Sequence, residues 1–395
     1  MIFIRFKNYY FFLILTLFIF SGCSFEKKYS KLDIDNLLET RYDKLLKYSV
    51  DSLSFPRSYS RHENASKLVP SKDWTSGFFA GNLWYLYTLT GNQAYIDKAQ
   101  AWTSFIEKEK FNDKTHDMGF KIYNSFGNGL KIKDNKRYKN IIVKSAKTLS
   151  TRFNENIKSI RSWDFNKKVW QFPVIIDNMM NLELLFEATK LTNDSTYHNL
   201  AVTHANTTLK HHFRPDNSCY HVIDYDTITY QPRMKVTHQG INDESSWARG
   251  HGWGIYGYTL AYRYTKDNRY LDRAITTADY FIHHKNMPDD GIPYWDFDDI
   301  SIPDAPRDVS AGTIVASALV EIYEFTKNKK YLDYSKKVIN TLKSTDYILE
   351  PDFEAPFILD HSTGNLPKND EIDEPIVYGD YYFLETLIRL KNIKK

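Results

Sequence analysis

Two aspartates are the residues of this chain best suited to acid–base chemistry. Asp117 lies in the segment HDMGF, and Asp177 opens an apolar helical pattern that begins DNMMNL. Large apolar side chains flank both carboxylates, and an apolar environment raises the pKa of a carboxyl group towards neutrality. A carboxylate pair is also the usual equipment for cleaving a glycosidic bond. The two residues are therefore predicted to form a catalytic pair.

Each aspartate also has a purely structural interpretation. Asp117 would cap a turn that Gly119 makes tight, in a loop after the helical pattern that ends at residue 107. Asp177 would be a helix N-cap. A helix N-terminus stabilises a charged carboxylate, whereas the aromatic neighbours Trp163 and Trp170 disfavour it. The sequence leaves open which effect wins, and a general acid requires that the charged form be disfavoured.

Composition excludes some classes of partner. The 395 residues are 42% hydrophobic and 16% aromatic, so the aromatic rings either fill a helical core or form flat faces for sugar rings. With 52 basic and 49 acidic residues the net charge is only +3. The chain therefore lacks the excess of basic residues that is typical of nucleic-acid-binding proteins. The histidines lack carboxylates at metal-ligand spacing, so no metal site is predicted. Oligomeric state is not predicted.

The N-terminus has the pattern of a bacterial lipoprotein signal. Residues 1–22 contain basic positions, then an apolar run from Phe11 to Phe20, then small residues directly before Cys23. The run is short for a membrane span. We expect cleavage before Cys23, lipidation of that cysteine, a tether over residues 23–32 and location at the bacterial cell envelope. An ordinary secretory signal or a short anchor helix is the alternative.

Helical patterns with apolar residues three and four apart recur from residue 33 onward, with no linker that divides the chain. We therefore predict one catalytic domain over residues 33–395. The predicted helices are 33–49, 76–88, 94–107, 140–153, 177–190, 197–211, 246–264, 270–283, 311–324, 331–342 and 379–391. Alternating residues over 220–234 predict one β-hairpin insertion.

A short internal repeat indicates how the helices are connected. Four junctions place a Tyr five positions after a Thr, with Gly, Asn or Asp between them. They begin at Thr90, Thr192, Thr265 and Thr326. Such a joint ends one helix and starts the next, as in a helical hairpin. An open solenoid and a closed ring of helix pairs both fit, and the irregular insertions favour the closed toroid, with its long loops gathered around a site.

Candidate binding residues cluster in two segments. The first is DWTSGFFAGNLW, where Trp74 and Phe78 would face a ligand unless Gly77 and Gly81 only permit close helix packing. The second is THQGINDESSWARGHGW, in which Arg249 is the natural bidentate partner of a ligand carboxylate. Candidate hydrogen-bond donors to sugar hydroxyls are His221, upstream of this second segment, and His238 within it, next to Gln239.

Seven motifs in order make most of the chain resemble glycoside hydrolase family 88, the unsaturated glucuronyl hydrolases. They are WTSGFFAGNLW, HDMGF, DNMMNLELLFEA, RPDNSCYHVIDYD, THQGINDESSWARGHGWGIYGY, RDVSAGTIVASAL and YGDYYFLETLIR. The resemblance implies an all-α (α/α)6 toroid and a substrate with a 4,5-unsaturated uronic acid at its non-reducing end. It places Asp177 as general acid and base and Asp117 as second carboxylate. It implies that the site is lined by Trp74, Phe78, His116, Trp163, His221, His238, Gln239, Arg249 and Trp253.

The implied chemistry is hydration of the C4=C5 vinyl ether, without a metal or cofactor. Asp177 protonates C4 and then activates a water that adds at C5, after which the hemiketal opens and releases the aglycone. Asp117 holds the ring and raises the pKa of Asp177 by like-charge proximity.

Three other functions fit parts of the pattern. An unsaturated rhamnogalacturonyl hydrolase shares the toroid, a non-catalytic glycan-binding lipoprotein shares the aromatic cleft, and an isomerase of the helical-toroid type would need paired histidines. The parent polysaccharide is left open among glycosaminoglycans, ulvan-type algal glycans and bacterial gums.

Overall fold

The computed structural model describes residues 31–393. The predicted signal segment 1–22, Cys23 and most of the predicted tether lie outside the described residues. The first helix begins at Lys31, two positions before the predicted start at residue 33.

Twelve α-helices form about half of the described chain. Their bounds are α1 Lys31–Lys47, α2 Ser76–Thr90, α3 Ala94–Ile106, α4 Asn128–Ile132, α5 Lys136–Ser150, α6 Asn178–Thr192, α7 Ser195–His211, α8 Ala248–Thr265, α9 Asn268–Ile282, α10 Val309–Thr326, α11 Lys329–Leu342 and α12 Val377–Ile393. A 3-10 helix spans Glu107–Phe111, another spans Leu366–Lys368, and a π-helix spans Gly119–Gly127 and runs directly into α4.

The helices form two concentric rings. The inner ring consists of α2, the π-helix with α4, α6, α8, α10 and α12, each packed on the next, and α12 packs back on α2. The outer ring consists of α3, α5, α7, α9, α11 and α1. Because the inner ring closes, the closed (α/α)6 toroid is confirmed over the open solenoid.

Burial explains why the two rings differ in sequence. Inner helices touch neighbours on all sides, so α10 is buried from Val309 to Ile322. That helix has the length and hydropathy of a membrane span, yet 78% of it is buried inside the protein. Outer helices bury one stripe only; in α5 the buried residues include Ile142 and Leu149, and the other face is solvated.

The four repeated junctions end four inner helices in the same way. Thr90, Thr192, Thr265 and Thr326 are the last residues of α2, α6, α8 and α10. Each hydroxyl donates to the carbonyl four residues earlier, at 2.7–2.8 Å. The next residue is left-handed, with φ between 58° and 73°, which ends the helix. Of the four following tyrosines, Tyr197 is only partly buried and the other three are buried.

The long connections lie at the opposite end of the toroid, before the N-termini of the inner helices. They carry the strands β1 Phe55–Ser60, β2 Ala65–Val69, β3 Phe153–Asn154, β4 Ser159–Ile160, β5 Pro173–Ile175, β6 Val222–Tyr225 and β7 Pro232–Val236. The predicted hairpin is present as antiparallel β6 and β7, with Val222 opposite Val236, and β5 adds a third strand beside β6.

One inner element was missed by the sequence reasoning. The segment HDMGF was predicted to lie in a loop and residues 121–127 were assigned to no element, whereas residues 119–127 form the π-helix that serves with α4 as an inner helix. Gly119 is required at its start, because a Cβ there would lie 2.7 Å from the Cα of Asn181 on α6. The backbone N–H of Phe120 donates to the Asn181 side chain at 3.0 Å. The π-helix and α6 are thereby held close together beside the two aspartates.

Candidate active site

The N-terminal ends of the inner helices enclose a cavity of about 340 Å³. Asp117 lies just before the π-helix, Asp177 just before α6, and Arg249 in the first turn of α8. The lining residues are Arg57, Trp74, His116, Asp117, Phe120, Trp163, Phe165, Ile175, Asp177, His238, Gln239, Arg249, Trp253, Gly364, Asn365, Lys368, Asp370 and Tyr378. Helix N-termini carry partial positive charge, so their convergence favours an anionic ligand here.

The carboxyl group of Asp177 has an unusually high pKa for an aspartate. Asp177 occupies the N-cap position of α6, but its side chain makes no capping hydrogen bond. Burial and then the nearby charge of Asp117 raise the pKa of Asp177 to about 7, against a smaller opposing effect of Arg249. Desolvation therefore outweighs the helix N-terminus, which is the condition the sequence left open. At neutral pH the group can both donate and accept a proton.

The imidazole of His221 faces the same carboxyl group. Its Nδ1 accepts from the backbone N–H of His238 at 3.1 Å, so in the neutral ring the proton is on Nε2. Burial lowers the pKa of His221 well below its usual value. Nε2 lies 3.8 Å from Asp177 Oδ2, and both atoms are buried with no hydrogen-bond partner in the described structure.

Asp117 is held by the hydroxyl of Thr115 and lies against the ring of His116. The Thr115 hydroxyl donates to Oδ2 at 2.6 Å, and His116 Nε2 lies 3.1 Å from Oδ1. The ring of His116 is itself fixed, because its Nδ1 lies 2.8 Å from the carbonyl oxygen of Ser162. Burial lowers the pKa of His116. Within residues 31–393 no three His, Cys, Asp or Glu side chains are grouped to hold a metal ion.

Arg249 lines the cavity but is already engaged by the protein. Its Nη1 donates to Asp308 Oδ2 and to the carbonyl oxygen of Thr363, both at 2.6 Å, and its Nη2 donates to the carbonyl oxygen of Gly364. Three of its five donors are thus used in fixing the loop after residue 360 and the start of α10. The prediction that Arg249 is a bidentate partner for a ligand carboxylate therefore needs correction. Arg249 is a fixed positive charge in the cavity wall.

Aromatic rings form the cavity walls. On one side Trp74 lies 4.9 Å from Tyr378 and 5.5 Å from Phe120, between ring centroids. On the other side Trp163 stacks on Phe165 at 5.0 Å. Such faces can stack on a flattened sugar ring.

One aromatic prediction needs correction. Phe78 is fully buried and packs edge-on behind Trp74 at 5.8 Å, so it supports the wall and does not face the cavity. Trp253 lines the cavity floor, with its ring 5.1 Å from that of Phe120.

The rim of the cavity contains several residues that sequence reasoning missed. The segment 364–370 comes from a connection with no helical or strand pattern, and it supplies Lys368, whose Nζ lies 3.0 Å from His238 Nε2. Gln239 donates to the carbonyl oxygen of Gly364 at 3.1 Å. Arg57 reaches the cavity from β1 and is paired with Glu371 at 2.6 Å. Phe120 was present in the quoted motif HDMGF, which is the one signal that pointed to it.

Comparison with known proteins identifies the family of the chain. Residues 54–262 match the family model described as Glycosyl Hydrolase Family 88. The chain is 59% identical to an unsaturated glucuronyl hydrolase of Formosa agariphila, over 94% of each chain. It is 32% identical to an unsaturated chondroitin disaccharide hydrolase of Streptococcus pneumoniae, over 83% of this chain and 84% of the relative.

A solved structure agrees over the same extent. The crystal structure of an unsaturated glucuronyl hydrolase specific for heparin superposes with a TM-score of 0.87 and 41% identity, covering 91% of this chain and 96% of the other. The chain therefore belongs to Glycosyl Hydrolase Family 88, as a glycoside hydrolase that removes an unsaturated uronic acid from oligosaccharides.

Proposed function

We propose that Asp177 catalyses the hydration of a 4,5-unsaturated uronic acid at the non-reducing end of oligosaccharides left by polysaccharide lyases. The observation that carries this proposal is the buried Asp177 carboxyl group, whose pKa of about 7 lets one group act as acid and then as base. An ordinary glycosidase needs two carboxylates, which act as acid and base in an inverting enzyme and as acid/base and nucleophile in a retaining one.

The reaction begins with proton transfer from the Asp177 hydroxyl to C4. The π electrons of the C4=C5 bond form the new C4–H bond, and positive charge develops on C5 and the ring oxygen. A water adds at C5 and gives its proton to the Asp177 carboxylate, which restores the acid. The resulting hemiketal opens: the C5 hydroxyl becomes a ketone as the C5–ring oxygen bond breaks, and its proton passes to the ring oxygen. The hemiacetal left at C1 then becomes an aldehyde as the bond to the aglycone breaks, and its hydroxyl proton leaves with the aglycone, which is released as an alcohol.

The unpaired atoms beside Asp177 provide a place for this water. A water within hydrogen-bonding distance of both His221 Nε2 and Asp177 Oδ2, which lie 3.8 Å apart, would satisfy two buried groups that lack partners. The Nε2–H group of His221 would donate a hydrogen bond to this water and hold it beside Asp177 in both protonation states of the carboxyl group. Asp117 then holds ring hydroxyls and keeps the Asp177 proton available.

A panel of lyase-generated disaccharides tests the proposal. Turnover is followed as loss of the ultraviolet absorbance of the C4=C5 bond, with release of the second sugar measured in parallel. We expect the wild type to be active and Asp177→Asn to lose activity by orders of magnitude, with an unchanged circular dichroism spectrum. Persistent absorbance across the whole panel, or full turnover by the variant, would contradict the assignment.

The panel also separates the substrate classes. We propose glucuronyl specificity, because two of the relatives are called unsaturated glucuronyl hydrolases, one of them specific for heparin. Chondroitin-, heparin- and ulvan-derived disaccharides form the glucuronyl arm, and unsaturated rhamnogalacturonan disaccharides form the other. Preference for the last would favour the rhamnogalacturonyl alternative. Binding by calorimetry without turnover would favour a glycan-binding lipoprotein.

We also propose that the mature chain is attached to the bacterial cell envelope through a lipid on Cys23. The basic, apolar and small-residue order of residues 1–23 supports this. Expression of the full chain with labelled palmitate should label the wild type and leave Cys23→Ser unlabelled and free of the membrane fraction. Equal membrane association of the two proteins would indicate a short anchor helix instead.

A further inference from the structure

A basic groove with an exposed aromatic ring lies outside the catalytic cavity, where the 3-10 helix Glu107–Phe111 packs on α5. It encloses about 560 Å³ and is here called the Phe111 groove. Its lining residues are Glu107, Lys110, Phe111, Lys136, Arg137, Asn140, Ile141 and Lys144. Four cations and one carboxylate line this groove, so it attracts anions.

Helix α5 presents a row of cations to solvent. Its sequence, KRYKNIIVKSAKTLS, contains Lys and Arg but neither Asp nor Glu. Lys136, Lys144 and Lys147 are exposed. At about 100° per residue their spacings of 8 and 11 positions place them within about 80° of one another around the helix. The row is therefore continuous with the Phe111 groove.

The carboxylates near the groove are already committed. Glu107 is paired with Lys110 at 2.7 Å and with Arg137. Glu109 is buried and accepts from the Ser71 hydroxyl at 2.7 Å. Across residues 31–393, neither Lys136 nor Lys144 has an acidic partner within ion-pair distance. Their charges remain available to an external anion.

The aromatic ring sits between two ammonium groups. Phe111 is 62% exposed, and the Nζ atoms of Lys110 and Lys144 lie 5.2 and 5.1 Å from its ring centroid. The Thr148 hydroxyl donates to the carbonyl oxygen of Lys110 at 2.6 Å and fixes the 3-10 helix on α5. A ring with cations beside it suits an acidic sugar, whose C–H face packs on the ring while its carboxylate or sulfate meets the ammonium groups.

We propose that the Phe111 groove is a secondary binding site for the anionic saccharide chain, separate from the cavity that holds the unsaturated end. The proposal rests on the proposed function for the identity of the saccharide, and on charge complementarity for its polyanionic character. Asp117 follows Phe111 by six positions, so the two Cα atoms lie within about 22 Å of each other. A long chain would engage both sites, whereas a disaccharide would engage the cavity alone.

Binding of intact heparin tests the site without turnover, because intact chains carry no unsaturated end. The probe variants are Lys136→Glu/Lys144→Glu and Phe111→Ser. The matched control is Lys329→Glu/Lys337→Glu on α11, where Lys337 lies 5.4 Å from the Tyr334 ring. Calorimetry should show roughly tenfold weaker heparin binding for the groove double variant, and roughly threefold weaker binding for Phe111→Ser. The control should bind as the wild type does, and all variants should hydrolyse the disaccharide at the wild-type rate.

Three results would overturn the proposal. Equal loss in the groove and control double variants would show that heparin responds only to net charge. Unchanged binding by Phe111→Ser would remove the aromatic contact on which saccharide recognition rests. Tighter binding to phosphatidylglycerol vesicles than to heparin, lost in the groove variant, would assign the groove to a membrane surface. A wild type that lacks disaccharide turnover yet shows the expected heparin pattern would contradict the proposed function and leave this site standing.

Discussion

Replacing Asp117 by asparagine removes the negative charge that helps to raise the pKa of Asp177. That pKa is about 7, compared with 3.8 for an unperturbed aspartate, a difference of about 3 units or about 4 kcal/mol. Burial is the largest cause and Asp117 the second. At an effective dielectric of about 20, repulsion between two like charges that line one cavity amounts to about 1–2 kcal/mol. The variant should therefore lower the pKa of Asp177 by about one unit.

The effect is read from the pH dependence of kcat/KM with a lyase-generated disaccharide. A general acid must be protonated, so wild-type kcat/KM should fall as pH rises through about 7. In Asp117→Asn the same fall should be centred about one unit lower, whatever the loss in maximal rate. Asp113→Asn is the matched control, because it removes an exposed carboxylate four residues away and should leave the fall in place. An unshifted profile in Asp117→Asn would refute the like-charge coupling, and an upward shift would refute its sign.

Three further predictions follow from the same contacts. Because the folded-state pKa of Asp177 is raised to about 7, ionising it costs stability as pH rises from about 4 to above 7. At pH 8 the free energy of unfolding of Asp177→Asn should therefore exceed that of the wild type by about 2 kcal/mol or more, and at pH 4 the two should be similar. Equal stability at pH 8 in denaturant titrations would contradict the raised pKa. Trp74→Leu should raise KM for the disaccharide roughly tenfold with little change in melting temperature, whereas Phe78→Leu, behind it, should lower stability by about 1–2 kcal/mol with KM nearly unchanged; the reverse pattern in kinetics and thermal melts would overturn the correction for Phe78. Arg249→Met should destabilise the fold by about 3–5 kcal/mol in denaturant titrations, because Asp308 is left buried without its partner; a loss of activity alone would indicate a direct ligand role.

Regular local chemistry explains why much of the fold could be predicted. A Thr that ends one helix, a turn that contains Gly, Asn or Asp, and a Tyr in the next helix form a signal contained within six residues. The four junctions therefore indicated the hairpins, and their threonines are the last residues of the helices, one or two positions beyond the predicted ends. The π-helix gave no such signal, because no repeated Thr–Tyr junction follows it and its glycine serves close packing against Asn181.

The parts of the candidate site that could be predicted are the residues whose side chains are themselves reactive. Asp177 and Asp117 stood out because acids are unusual among apolar residues, and the structure brings both to one cavity. Whether burial or the helix N-terminus controls the pKa of Asp177 depends on tertiary packing, which the sequence does not contain. The same limit explains why the role of Arg249 was predicted wrongly. Its partners Asp308, Thr363 and Gly364 lie at least 59 positions away along the chain.

The central claim is that Asp177 delivers a proton to C4 and that water attacks C5, not the anomeric carbon. Turnover of an unsaturated disaccharide in D2O, followed by NMR of the product at early times, tests this most directly. The account predicts one deuterium on C4 for each aglycone released by the wild type, and neither deuterium nor aglycone with Asp177→Asn. Aglycone release that leaves C4 free of deuterium would mean that the glycosidic bond is hydrolysed at C1 and would contradict the account.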